Sequence, residues 1–142
     1  MSIEGLAKAM LQPINPAASI LLGGYTVLWG LWVVNPWWSV FAAADLYSVM
    51  ATIAPEWAFG CFALLCGSAM VYGAHRRSYY AFTNGAVAVG FHWFLICLCY
   101  FLGDWQNTGG ITALMLAVYA SYLYLNVRVN FHGHKKIHSL LQ

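Results

Sequence analysis

Residues 80–102 read YAFTNGAVAVGFHWFLICLCYFL, 23 consecutive positions without Asp, Glu, Lys or Arg. At a helical rise of about 1.5 Å per residue, such a run reaches across the ~30 Å hydrocarbon core of a bilayer. Three more uncharged apolar runs accompany it. The first covers about 18–34 and stops at Asn35-Pro36; the second covers about 57–74 and ends at His75-Arg76-Arg77; the last covers about 110–127. Lipid offers no partner for free peptide groups, so each run is expected to be helical. The short alternating segments of a transmembrane barrel are absent. The expected fold is therefore an all-α membrane protein with four transmembrane helices.

Composition points the same way. The chain of 142 residues is 62% hydrophobic and only 7% charged, against about 25% charged in soluble domains. Its mean hydropathy is +0.68. Such a chain could not cover its own surface in water, which argues against a soluble enzyme, a secreted disulfide module and a disordered protein. The net charge of +2 and the scattered Lys and Arg residues give no stripe to follow a nucleic-acid backbone. No linker divides the chain, so residues 1–142 are expected to form a single domain.

Charge sets the expected orientation. Lys8 precedes the first run, Arg76 and Arg77 join the second to the third, and Arg128, Lys135 and Lys136 follow the fourth. In a four-span topology these lie on one side, whereas the opposite loops hold Asp45, Glu56 and Asp104 and no basic residue. The positive-inside rule then predicts both termini in the cytoplasm, and a bacterial inner membrane suits the pattern. Arg76, Arg77, Lys135 and Lys136 are the expected contacts to anionic lipid, with residues 128–142 as a basic cytoplasmic tail.

Two surface segments are expected as short interfacial helices. Within residues 1–16, Ile3, Leu6, Ala7, Met10 and Leu11 fall at helical spacing opposite Glu4 and Lys8, and Pro13 and Pro16 end the segment. In the first outer loop, Val40, Ala43, Tyr47, Met50 and Ala54 form one stripe and Asp45, Ser48 and Thr52 another, with Trp37 and Trp38 as anchors. The corner Ala54-Pro55-Glu56-Trp57 reads as a helix start: Pro at the first turn, an acidic residue near the positive end of the helix dipole, and an interfacial Trp. Glu56 is given no catalytic role.

An ionisable residue deep in a span is costly and marks a task in many membrane proteins. His92 is such a residue, level with Leu31, Phe62 and Leu114. The expectation is a neutral packing residue hydrogen-bonded to Thr112 or to a backbone carbonyl, with proton relay, metal or haem as alternatives. A bis-histidine haem would want a second His at that depth, and the spans offer none. No catalytic, metal or cofactor residue is assigned. His134 and His138, one helical turn apart in the tail, form no assigned metal site. Tyr25, Thr26, Ser68, Asn84 and Ser121 are expected to form a layer of interhelical hydrogen bonds. Cys61, Cys97 and Cys99 lie at similar heights, so a pairing of Cys61 with either partner stays open, and Cys66 is deeper.

Small residues recur four apart at Ala63 and Gly67, Ala69 and Gly73, Ala81 and Gly85, Ala86 and Gly90, and Ala113, Ala117 and Ser121. Such faces let helices approach closely where lipid supplies little hydrophobic drive. Gly67, Gly73, Gly85, Gly90, Ala113, Ala117 and Ser121 are therefore the helix-packing candidates. Their abundance also suggests a homo-oligomer or another membrane protein as partner.

Trp29-Gly30-Leu31-Trp32, the stop at Pro36, Tyr47, Met50, Ala54-Pro55-Glu56-Trp57-Ala58-Phe59-Gly60 and Gly67 resemble a loose group of small four-span membrane proteins encoded by tailed bacteriophages and prophages. The resemblance covers roughly residues 25–75. It implies a phage or bacterial inner-membrane setting and no particular reaction. The arrangement of spans is also broadly similar to DoxX-like proteins. The expected function is that of a non-enzymatic membrane protein acting by helix–helix and lipid contacts on the host membrane. A holin-like pore and an accessory subunit of a larger redox or photosynthetic complex are the alternatives.

Overall fold

A computed structural model describes the backbone of residues 16–43, 47–103 and 108–140, and side chains as far as residue 129. Six helices and no strand occur among the described residues: α1 (Pro16–Val33), α2 (Val40–Ala43), α3 (Ser48–Ile53), α4 (Glu56–Arg76), α5 (Tyr79–Gly103) and α6 (Thr108–Leu140). Four of these carry stretches long and apolar enough to cross a membrane: all of α1, α4 and α5, and Thr108–Val129 of α6. The four expected spans are present, each within a few residues of its sequence boundaries. The amphipathic pattern of residues 1–15 lies outside the described residues.

Consecutive long helices pack against one another as antiparallel neighbours, α1 on α4, α4 on α5 and α5 on α6. The α1–α4 seam is built from glycine. Gly23 and Gly30 of α1 oppose Gly67 and Gly60 of α4, seven residues apart on each helix. A Cβ on Gly67 would lie 2.7 Å from the Gly23 carbonyl oxygen, and one on Gly30 would lie 2.8 Å from that of Gly60. Each glycine also receives a branched side chain from the facing segment: Val71 on Gly23, Leu64 on Gly30, Val27 on Gly67 and, just past the end of α1, Val34 on Gly60. A spacing of seven residues, two helical turns, puts both glycines of each helix on the face turned to the partner.

The α4–α5 pair uses the same device at Gly73, which faces the backbone of Phe82, and at Gly85, which faces the backbone of Met70. At its turn Arg77 takes a left-handed conformation (φ 52°, ψ 32°), and the amides of Arg77 and Ser78 both reach the Gly73 carbonyl. The α5–α6 pair leaves more room at its glycine: a Cβ on Gly90 would make an ordinary 3.5 Å contact with Ala120. Ala113, Ala117 and Ala120 are buried there.

Two expectations change at the ends of the bundle. The first outer loop holds two short helices rather than one, and Val40, Tyr47 and Met50 of its apolar stripe face the bundle. Met50 is fully buried, Phe41 meets Phe59 at 5.6 Å, and Tyr47 meets Tyr100 at 5.8 Å between ring centres. Ser48 and Thr52 face outward. At the far end, α6 does not stop near residue 127 but runs to Leu140. No Pro interrupts it, and a single Gly133 costs a helix only about 1 kcal/mol.

Glu56 does more than favour its own helix start. Its Oε1 accepts from the Val40 amide at 2.5 Å and its Oε2 from the Ser39 hydroxyl at 2.6 Å, so it caps α2 from across the loop. Glu56→Ala is expected to release α2 at a cost of about 1 kcal/mol. Hydrogen exchange should then speed up at the Val40 amide while the centre of α4 stays protected.

Candidate functional site

The centre of the bundle is an aromatic box around His92. Helices α1 and α5 stand apart, and large side chains fill the space between them. Trp29 of α1 meets the His92 ring at 5.0 Å and the Trp93 ring at 5.6 Å, both edge to face. Tyr25 stacks on Trp93 at 5.5 Å. From α4, Phe62 lies 5.7 Å from the imidazole. These centroid separations are those at which aromatic pairs attract.

Trp93 and His92 are adjacent in sequence and both buried, yet their polar groups fare differently. Trp93 Nε1 donates to Thr26 Oγ1 at 3.0 Å, and that hydroxyl donates in turn to the Leu22 carbonyl at 2.9 Å. The chain of two bonds crosses from α5 to α1 and satisfies every group in it. His92 is 0% exposed, and neither Nδ1 nor Nε2 reaches a hydrogen-bond partner among the described residues. The expected bond to Thr112 is not made, because Thr112 is exposed on α6 and donates to the Thr108 carbonyl instead. Leaving a buried donor or acceptor unmet costs about 1–3 kcal/mol. Such orphan groups are few in native proteins.

A cavity of about 190 Å³ adjoins the box between α3, α4 and α5. Ile53, Ala58, Phe62, Phe91 and Leu95 are among its walls, and His92 is the only polar side chain among them. Phe62 and Phe91 are 39% and 59% exposed, so the cavity opens toward the surroundings of the bundle.

The expected polar layer does not form. Thr26 alone of the five is buried. Tyr25, Ser68, Asn84 and Ser121 all lie on exposed positions, and the Ser121 hydroxyl turns back to the Ala117 carbonyl at 2.9 Å. A hydroxyl that bonds its own helix backbone can face lipid cheaply, so it need not bridge helices. Of the packing candidates, Gly67 sits in the α1–α4 seam, Gly73 and Gly85 in the α4–α5 seam, and Gly90, Ala113 and Ala117 are buried at or near the α5–α6 contact; Ser121 is at the edge of that contact, its Oγ 3.7 Å from a Cβ built on Gly90. Searching for small residues four apart missed Gly23, Gly30 and Gly60, whose signal is the seven-residue spacing. The four cysteines are free thiols, with Cys61 exposed and Cys66, Cys97 and Cys99 buried.

A second polar feature lies at the α4–α5 turn. A cavity of about 240 Å³ is bounded there by the start of α1, the turn and α6. Its lining includes the polar Ser19, Arg77 and Ser78 and the apolar Ala74, Phe82 and Val127. Arg76 and Arg77 are exposed, and Arg128 reaches the Tyr124 hydroxyl at 2.9 Å on the same end. Lys135 and Lys136 fall in the last turns of α6, beyond the described side chains. Comparison with protein-family models, with curated proteins and with solved structures finds no match for this chain.

Proposed function

We propose that this chain is a non-enzymatic integral membrane protein that acts by contact with lipid and with neighbouring transmembrane helices. The observation that carries the reading is Arg77. Position 77 has the left-handed backbone that favours glycine, and a residue with a Cβ costs about 1–2 kcal/mol there. Arg77 lines a cavity together with Ser19 and Ser78 and with the apolar Ala74, Phe82 and Val127, a mixture that suits a lipid headgroup and the start of its chains. Two long helices, α1 and α5, also begin beside it, and helix starts favour anions. Basic pockets of this kind between transmembrane helices suit anionic headgroups.

In this reading the turn, the start of α1 and the tail face the cytoplasm, and the resemblance to phage-encoded proteins supplies the setting, a host inner membrane altered from within. The test uses the full chain in mild detergent, titrated with phosphatidylglycerol or phosphatidylcholine and observed by native mass spectrometry. Phosphatidylglycerol should be retained preferentially, and Arg77→Gln should remove roughly tenfold of that preference, the worth of one charge-assisted contact. Equal retention of both lipids would count against the reading. Loss of membrane potential on expression in bacteria would favour the holin-like pore instead.

A further inference from the structure

We propose that His92 and the cavity beside it form a binding site for a membrane-soluble single-ring molecule carrying a ring oxygen, of the quinone or quinol class. Three observations converge. The imidazole is fully buried and both of its nitrogens lack partners among the described residues. The imidazole lies beside a groove of about 190 Å³ that is open on its outer side, of the size a single ring needs, since an enclosed ~150 Å³ cavity holds benzene. Its outer walls are Phe62 and Phe91, both partly exposed, so the ligand arrives from hydrocarbon and must be lipophilic.

The polarity of the site selects within that class. A buried water needs two to four polar partners, and His92 is the only polar side chain on these walls. An acyl chain would fill the volume and leave both nitrogens unmet. A ring-borne oxygen meets one of the two nitrogens in either state: a carbonyl accepts from the imidazole N–H, or a hydroxyl donates to the bare nitrogen. One histidine therefore serves the oxidised and the reduced ring alike. Phe62 borders both the imidazole and the cavity, and because His92 is 0% exposed the ligand has to displace this ring to reach it.

The experiment uses the purified full chain in detergent and the probe 2,3-dimethoxy-5-methyl-6-decyl-1,4-benzoquinone. Quenching of tryptophan fluorescence reports binding, because Trp29 and Trp93 both touch His92. Wild type should show saturable quenching at one site. His92→Phe should weaken it by roughly tenfold, the value of one good hydrogen bond, and His92→Gln should keep part of it. Ala58→Phe should abolish binding by filling the cavity with His92 intact, which separates loss of the site from loss of the fold. Decylbenzene, lacking the oxygens, should compete weakly. Equal binding of the quinone to wild type and His92→Phe would overturn the proposal, as would equal competition by decylbenzene, which would mark an acyl-chain pocket. Absence of saturable quenching in wild type would overturn it too.

Discussion

Gly23→Leu is expected to break the α1–α4 pair, whereas Gly24→Leu, one residue along, is expected to leave it intact. The two glycines differ in what a side chain would meet. A Cβ on Gly23 would lie 3.0 Å from the Gly67 carbonyl oxygen and 2.8 Å from Val71, while nothing lies within 4 Å of one on Gly24. The obstacle at Gly23 is partly backbone, so no change of rotamer relieves it. Overpacking of cores commonly costs ~1–3 kcal/mol, and a seam this close should reach the upper end or beyond. Gly24→Leu should be neutral or slightly stabilising, because leucine is the better helix former. Gly67→Ala extends the test: a single methyl 2.7 Å from the Gly23 oxygen should already be harmful. Thermal loss of the monodisperse peak in detergent, followed by size-exclusion chromatography, reads all three. Equal melting of Gly23→Leu and Gly24→Leu would show that the glycine seam does not hold the pair together.

That contrast also marks where sequence reading ends. The spans were legible because hydrocarbon thickness demands long uncharged runs, and their ends were legible because Pro36 and the Arg76–Arg77 pair are costly inside lipid. Which face of each helix turns inward was much less so. In water a buried face differs from an exposed one by polarity, but here both are apolar. Leu21 and Leu65, each 73% exposed, are chemically like Leu22 and Leu123, which are buried. Only shape separates the faces, and shape appears in sequence as glycine spacing. The four-residue spacing found Gly67, Gly73 and Gly85; the seven-residue spacing of Gly23 with Gly30 and of Gly60 with Gly67 holds the rest. The candidate site shows the same division. His92 stood out by being ionisable at depth, but its lack of a partner depends on Thr112 facing away, which spacing along one helix does not reveal. Trp93 carries no charge and so is indistinguishable in sequence from the other span aromatics, although it bonds α5 to α1.

Trp93→Ala should be among the most damaging substitutions in the chain. The indole is 3% exposed, stacks on Tyr25, meets Trp29 edge to face, and spans the gap where the α1 and α5 backbones stand apart. Removing a buried aromatic of this size costs about 3–5 kcal/mol through lost contacts and the cavity left behind. A second term can be isolated. Trp93→Phe keeps most of the ring and loses the donor, leaving Thr26 still bonded to the Leu22 carbonyl. It should therefore cost much less than Trp93→Ala. Thr26→Val does the reverse: it preserves volume and orphans the buried indole N–H, at about 1–3 kcal/mol. With both changes together no polar group is left unmet, so the double variant should be more stable than the sum of the two single losses implies. Melting temperatures of the four proteins in one detergent close this cycle. Additive losses would mean that the 3.0 Å bond between Trp93 and Thr26 adds nothing, and that the aromatic box is held by shape alone.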